Sequence, residues 1–290
     1  MKKIIANVGI ILGVISNVVY ADSADYDSEI SGLYTKSGQS KTYGVSYIHY
    51  LDTIKPGNTP LAEATFFSRS SSFSVAINDS DTKTSGINFD GRSLNVNYTY
   101  SEKTNPFTFL IGYTKEDDDI STSSATGSSD GKSYQISLGY YIYDNLHTTI
   151  GYFDREATLN HPGITNTSSE YSAYSATVKY IHQMDDSTAL SITGSRSHTT
   201  SSTNVSAEKK SEQTSLRATF YFDQFFGLGA VYAMIDSDTA ASEYSYIGIK
   251  ASYFITPKFS ITAYHYEFDT NAASTLSDYS SSSIIASLRF

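Results

Sequence analysis

The chain has 290 residues, enough for one large domain or two small ones, and only 39% of them are apolar. It contains 25 Tyr and 15 Phe but no Trp and no Cys, which excludes a disulfide framework and thiol chemistry. The formal net charge of −10, with no run of basic residues, argues against a nucleic acid partner.

The amino-terminal residues have the pattern of a signal peptide. A basic start precedes an apolar stretch, and small residues near position 21 allow cleavage there. The stretch is shorter than the roughly 20 apolar residues of a membrane-spanning helix, and Asn7 and Asn17 interrupt it. We therefore expect a signal peptide of residues 1–21, export through the Sec pathway, and a mature domain of residues 22–290.

Apolar and polar residues alternate along the mature chain in segments of about ten residues. In one segment Leu94, Val96 and Tyr98 alternate with Asn95 and Asn97, so that one face of the strand is apolar and the other polar. The pattern is least regular in the first strand and in the segment from Leu61, so twelve or sixteen strands are alternatives to fourteen. The fourteen predicted strands lie near residues 29–37, 41–52, 61–78, 87–100, 106–117, 132–143, 146–158, 170–183, 187–199, 211–222, 225–237, 243–255, 258–269 and 279–290.

The connections between these strands alternate between tight and long. The tight ones read as two-residue turns: Asp144-Asn145, Asp185-Asp186, Asp223-Gln224 and Thr256-Pro257. Longer stretches rich in Ser, Thr, Asn, Gly and acid lie between the turns, such as 117–131 and 200–210. Short turns at one rim and long loops at the other are typical of bacterial outer-membrane barrels. The predicted fold class is therefore all-β, a transmembrane antiparallel up-and-down β-barrel.

The carboxyl terminus supports the same prediction. Leu288 and the terminal Phe290 fall on one face of the last strand, and Ser287 and Arg289 fall on the other. A last strand that ends in Phe resembles the signal that the barrel-assembly machinery reads in the outer membrane. We therefore expect this machinery and periplasmic chaperones to be partners during biogenesis, and outer-membrane lipid and lipopolysaccharide to surround the folded barrel.

Two stretches carry a resemblance to a known group. Residues 43–50 and the sequence 60–69, Pro-Leu-Ala-Glu-Ala-Thr-Phe-Phe-Ser-Arg, resemble a segment of the porin family of Gram-negative proteobacteria. The likeness is sharpest over 43–77. It implies a porin-like outer-membrane β-barrel, and it does not imply a particular solute.

Three basic residues lie inside predicted strands. A Lys or Arg on the lipid face near the midplane costs about 2–4 kcal/mol, so these side chains should point into the lumen. Each lies six residues before its tight turn, which places all three at a similar height on alternate strands. We expect Lys179, Arg217 and Lys250 to form a basic patch on one wall of the pore.

The densest acidic run lies at the start of the predicted loop 117–131 and in the residue just before it. If this loop folds inward, its acidic side chains face the three basic residues across a constriction. Charges arranged in this way select solutes by the sign of their charge. The alternative is that the run only solvates an outer loop, as charge runs usually do. The candidate pore-lining acids are Glu116, Asp117, Asp118 and Asp119.

These features favour an outer-membrane porin, a water-filled channel for passive diffusion of small hydrophilic solutes and ions. Three alternatives remain: a substrate-specific channel for oligosaccharides or small acids, a non-conducting structural or adhesive barrel, and an outer-membrane hydrolase. No catalytic, metal or cofactor motif is present, and the nearest candidate for a hydrolase is the pair Ser195 and His198. We therefore expect no enzyme activity and no cofactor, and association into a homotrimer stays possible by analogy with larger porins.

Overall fold

The computed structural model describes residues 25–84, 87–122, 125–160, 166–185, 187–238, 243–270 and 279–290. Within these residues the chain forms a closed antiparallel barrel of fourteen strands, as predicted. The strands are β1 (Tyr26–Ser37), β2 (Ser40–Ile54), β3 (Ser72–Thr84), β4 (Ile87–Glu102), β5 (Asn105–Ser121), β6 (Thr126–Tyr143), β7 (Leu146–Asn160), β8 (Thr167–Gln183), β9 (Ala189–Thr203), β10 (Ser206–Tyr221), β11 (Phe226–Ser237), β12 (Tyr244–Thr256), β13 (Phe259–Thr270) and β14 (Tyr279–Arg289).

The predicted signal peptide, 1–21, lies outside the described residues. In the part of the chain that is described, no helix has the length and apolar character needed to cross a membrane.

The barrel closes where the first strand pairs with the last. β1 and β14 are antiparallel over nine residue pairs, from Glu29 opposite Arg289 to Ser37 opposite Ser281. The terminal residue extends the pairing of β1 with β14, because the backbone N–H of Phe290 donates to the carbonyl oxygen of Ser28 at 3.0 Å. Closure satisfies the backbone groups that an open edge would leave unpaired, a requirement inside lipid.

The two faces of the wall differ in chemistry, as the alternation predicts. The outer face carries exposed apolar side chains such as Leu138, Ile247 and Ile249, which are 55%, 59% and 64% exposed. The inner face carries small polar side chains that hydrogen-bond to one another across strands. Ser195 Oγ lies 2.7 Å from Ser215 Oγ, for example. An apolar band outside and a polar lining inside suit a barrel that stands in a bilayer.

Several predicted loops prove to be strand. β5 and β6 pair as far as Ser121 opposite Thr126, so most of the predicted loop 117–131 belongs to the wall. β9 and β10 likewise pair as far as Thr203 opposite Ser206, which leaves only a tight turn there. These stretches are rich in Ser, Thr and acid, but residues that remain in register continue the backbone ladder whatever their polarity.

The predicted strand 61–78 is wrong in its first half. Only Ser72 onward enters β3, and the residues before it form a 3-10 helix, Leu61–Glu63, followed by the short helix α1, Ala64–Ser68. Prolines at positions 56 and 60 lack the N–H that a strand ladder requires. Arg69 then ends α1 in the left-handed conformation, with φ of 50°.

This connection between β2 and β3, residues 55–71, is called the inner segment below. It belongs to the rim that carries both chain ends and the tight turns after β4, β6 and β12, here called the terminal rim. The inner segment is long for this rim, where 103–104 and 144–145 suffice elsewhere. Its side chains are largely buried against the inside of the barrel.

Candidate functional site in the barrel lumen

The inner segment crosses the lumen at the terminal rim and contacts strands on several sides. Its Leu61 N–H donates to the carbonyl oxygen of Gln224 at 3.0 Å, and the Leu61 carbonyl accepts from Arg289 Nη1 at 3.0 Å. Closer to β3 in the chain, the Phe66 carbonyl oxygen accepts a hydrogen bond from Tyr141 Oη at 3.2 Å. The segment is therefore fixed to the β10–β11 turn, to β14 and to β6.

Glu63 is the charged centre of the inner segment. Its side chain is only 8% exposed, and its Oε2 accepts from Lys179 Nζ on β8 at 2.5 Å. Its other oxygen accepts from Tyr221 Oη on β10 at 2.7 Å. Because both partners belong to the wall, this carboxylate joins the inner segment to two strands.

A second attachment lies at the end of α1. The Arg69 guanidinium lies over the Tyr141 ring at 3.8 Å and pairs with Asp144 in the β6–β7 turn at 2.7 Å. Arg69 is 7% exposed whereas Asp144 is 96% exposed. The stacking is therefore the buried part of this contact, and the ion pair is the part exposed to water.

The three basic residues that the sequence places at one height lie on β8, β10 and β12, on the lumen face. Lys250 interacts electrostatically with both Lys179 and Arg217, and also with Glu63. We call Lys179, Arg217 and Lys250 the basic cluster. The sequence does not reveal the acid that faces them. Glu63 belongs to a stretch that alternation assigns to a strand, so its position in the lumen becomes visible only in the fold.

The acidic run 116–119 lies in β5, and not in a loop that folds inward. Strand geometry sends successive side chains to opposite faces, so the run is divided between them. Glu116 is on the lumen face, where its Oε2 pairs with Arg155 on β7, and Asp118 lies there over Gly91. Asp117 and Asp119 are on the outer face. The inner segment, and not this run, is the part that crosses the lumen.

Small polar residues line the lumen between the inner segment and the opposite rim. Many are joined across strands, as in Thr35 Oγ1 to Ser283 Oγ at 2.9 Å and Thr114 Oγ1 to Asn95 Oδ1 at 2.7 Å. Other positions on this face are glycines. An added Cβ at Gly112 would lie 2.4 Å from Asn97 Oδ1, so the Asn side chain lies flat against the wall. Short side chains that lie flat leave the space of the lumen open.

One wall of the lumen differs because it is aromatic. Tyr264 and Tyr266 on β13 are parallel, with ring centroids 6.1 Å apart, and Tyr266 contacts Tyr246 on β12 at 5.8 Å. Phe268 continues the series to Tyr246 at 5.2 Å. It also stacks on Tyr279 of β14 at 4.3 Å. We call these rings the aromatic track; its members are Tyr244, Tyr246, Tyr264, Tyr266, Phe268 and Tyr279.

A cavity joins the inner segment to this wall. It has a volume of about 430 Å³ and is lined by residues of β1, β2, β3, β12, β13 and β14 together with Ala62 of the inner segment. Lys250 and Tyr264 both line it, as does Arg289. Lys250 of the basic cluster and Tyr264, at the lower end of the aromatic track, therefore open into the same space.

The candidate hydrolase pair does not form. Ser195 lies on the lumen face with Ser215, whereas His198 lies on the outer face, 3.7 Å from Glu212. Their odd spacing places them on opposite sides of β9, so neither can act on the other. Within the described ranges, no group of three or more His, Asp or Glu is placed to hold a metal ion.

These features define the class of protein by its fold: a closed antiparallel barrel with an even strand number, an apolar outside and a polar inside, the architecture of outer-membrane β-barrel proteins. Solved structures agree. The fold is similar to the outer membrane protein Omp33 of Acinetobacter baumannii, with a TM-score of 0.58 and 18% identity, covering 93% of this chain and 100% of that one.

Two channels with less sequence similarity share the fold. A FadL homologue of Pseudomonas aeruginosa has a TM-score of 0.52 and 9% identity, covering 92% of this chain and 90% of that one. The CymD monoaromatic hydrocarbon channel has a TM-score of 0.52 and 10% identity, covering 92% and 88%. At such identities the likeness shows the fold alone.

Comparisons by sequence give no match. No protein-family model matches the chain. No curated protein matches it either. The resemblance of residues 43–77 to porins therefore stays a prediction.

Proposed function

We propose that this chain is an outer-membrane channel through which small hydrophilic solutes and ions diffuse passively. The observation that carries the proposal is the chemistry of the lumen face, where Ser, Thr, Asn and Gly predominate on most strands. Such a lining offers hydrogen bonds to water along most of the wall. A continuous column of water is what ions and polar solutes need in order to cross.

The same lining argues against a hydrocarbon as the solute. CymD is a monoaromatic hydrocarbon channel, but the likeness of this chain to it is one of fold. An apolar solute prefers a pocket lined mainly by apolar side chains. In this lumen aromatic rings are concentrated on β12, β13 and β14. Others, such as Phe153 on β7 and Tyr171 on β8, also face the lumen, and Ser, Thr, Asn and Gly make up most of the remaining wall.

The inner segment supplies the constriction of the proposed channel. With an even strand number both termini lie at the periplasmic rim, so the terminal rim faces the periplasm. There the inner segment reaches β6, β8, β10 and β14 through Tyr141, Lys179, Tyr221 and Arg289. The size of solute that passes then depends on how far this segment leaves its position.

Conductance across a planar lipid bilayer tests the proposal. The purified full chain should insert and conduct KCl, and a variant whose residues 57–68 are replaced by a Gly-Ser linker should conduct several times more. Liposome swelling with sugars of increasing size should show a larger size limit for this linker variant. If folded barrels of both forms conduct no ions, the channel function is wrong.

Other parts of the proposal follow from residence in the outer membrane. We propose Sec-dependent export, assembly through the signal at Leu288 and Phe290, and contact of the outer rim with lipopolysaccharide. Association into trimers is part of the same proposal, as is the absence of catalysis.

A further inference from the structure

The aromatic track and the basic cluster form one continuous surface. The Lys250 Nζ lies 5.9 Å from the centroid of the Tyr264 ring, which is the first ring of the track. From Tyr264 to Phe268 the track follows β13 over four residues, or about 13 Å of strand. It thus leads from the rim opposite the inner segment down to the cations beside that segment.

One ring of the track, that of Tyr266, lies over the backbone of β12, where a glycine makes room for it. A Cβ added at Gly248 would lie 2.3 Å from Cδ1 of Tyr266, so only glycine leaves space for that ring over β12. Each ring of the track is only partly buried by its neighbours. The exposed ring faces are therefore available to a flat partner in the lumen.

The basic cluster already binds one carboxylate, that of Glu63. Lys179 pairs with it at 2.5 Å, and Tyr221 donates a hydrogen bond to its other oxygen. Among the described residues, neither Arg217 nor Lys250 forms an ion pair, so three cations face one anion. The cluster therefore has the donors and the excess positive charge to hold a second carboxylate beside that of Glu63.

We propose that the aromatic track and the basic cluster together bind solutes that carry both a flat ring and a carboxylate. The ring stacks on Tyr264 and Tyr266 while the carboxylate pairs with Lys250 and Arg217. Two kinds of solute share this chemistry: aromatic acids, and sugar acids whose pyranose ring has an apolar face. The inference rests on the proposed function, since it names the solute class for the same lumen.

Equilibrium dialysis against the detergent-solubilised full chain tests this binding without requiring conduction. The probes are benzoate and glucuronate, each compared with acetate, which lacks the ring, and with glucose, which lacks the charge. We expect benzoate or glucuronate to bind saturably, about fivefold or more tightly than acetate. Whichever of the two binds identifies the ring.

Three variants and a matched control assign the site. Tyr266→Ala should remove the advantage of the ring, and Lys250→Gln should remove the advantage of the charge. Glu63→Gln should tighten binding of the carboxylate, because it removes the competing anion. The control is Tyr232→Ala, on the outer face of β11, which should bind as the wild type does.

The outcomes separate the two proposals. Equal binding of all four probes, or ring-acid binding that survives both Tyr266→Ala and Lys250→Gln, overturns the assigned solute class. If the wild type conducts KCl and yet gives either of these results, the channel function stands and only the proposed solute class is wrong. If the barrel binds the ring acids but conducts no ions, the channel function is wrong and the binding site stands.

Discussion

Glu63 Oε2 lies 2.5 Å from Lys179 Nζ, although 116 positions separate the two residues in the chain. The contact joins the inner segment to the wall at β8 and gives the basic cluster its one carboxylate. Its partner Lys179 also lies above the ring of Phe66, 4.8 Å from the ring centroid. The inner segment is thus held by charge and by apolar packing at the same place.

Glu63→Gln should release the inner segment more often. The substitution keeps an acceptor for Tyr221 but removes the charge that pairs with Lys179, and hydrogen bonds to charged groups contribute about 1.5–3 kcal/mol. A loss of this size raises the fraction of displaced segment by about tenfold or more. Bilayer recordings should show the higher-conductance level correspondingly more often.

The control for this measurement is Glu212→Gln. Glu212 also pairs with a basic residue at 2.5 Å, Arg196, but the pair is exposed on the outer face. Its recordings should match the wild type. Identical recordings for Glu63→Gln would mean that the ion pair does not hold the segment.

Arg69 should stabilise the barrel through Tyr141 more than through Asp144. Arg69→Gly keeps the left-handed backbone and loses the buried stacking, which contributes up to about 2 kcal/mol. Asp144→Asn removes only a pair whose acid is 96% exposed, and such pairs contribute at most about 1 kcal/mol. The free energy of unfolding in urea measures both changes, and an equal or larger loss for Asp144→Asn would contradict this ranking.

Gly248 should tolerate no side chain. A Cβ there meets the ring of Tyr266 at 2.3 Å, and overpacking of this kind costs about 1–3 kcal/mol. Gly194→Ala is the matched control, because a Cβ at Gly194 has nothing within 4 Å. The control should be neutral or stabilising by about 0.4–1 kcal/mol. Equal unfolding free energies for Gly248→Ala and Gly194→Ala would show that Tyr266 does not lie where the structure has it.

The turn after β8 should make stability depend on pH in the acid range. The backbone N–H groups of Ser187 and Thr188 donate to the Asp185 carboxylate and lower its pKa to about 2. A carboxyl whose pKa is lower in the folded state stabilises that state above its unfolded pKa, which is about 3.9. This contribution is lost as the pH falls from about 4 through 2.

Comparison with Asp185→Ala isolates this effect. At neutral pH the wild type should unfold at higher urea concentration than Asp185→Ala, and the difference should shrink between about pH 4 and pH 2. A difference that stays constant over this range would show that the carboxylate does not accept these bonds. Because Asp185→Ala changes only this turn, the difference between the two proteins reports on the carboxylate at the rim.

Much of the wall can be predicted from sequence, because strand alternation is a local property. Lys250 illustrates this: the apolar neighbours Ile247 and Ile249 identify the outer face, and the basic side chain then has to point inward. The same argument places Lys179 and Arg217. Their shared height follows from equal spacing to the turns, which is also legible in the sequence.

The inner segment could not be predicted in this way. Leu61 and Ala64 are apolar, as strand residues are, but they are buried by contacts with distant parts of the barrel. The full lengths of the strands near Asp118 could not be predicted from the sequence for a related reason. Polar residues at the outer rim do not differ in composition from loops, and only pairing with β4 and β6 makes them strand.

Labelling of single cysteines is the most direct test of the central claim that water fills the lumen. The natural chain has no Cys, so each introduced thiol is the only one. On β6, Gln135→Cys and Ser137→Cys point inward, whereas Ile136→Cys and Leu138→Cys point outward. With the protein in liposomes, a charged, membrane-impermeant thiol reagent should modify positions 135 and 137 and spare 136 and 138. Modification of 136 and 138 with protection of 135 and 137, or protection of all four, would contradict a water-filled lumen.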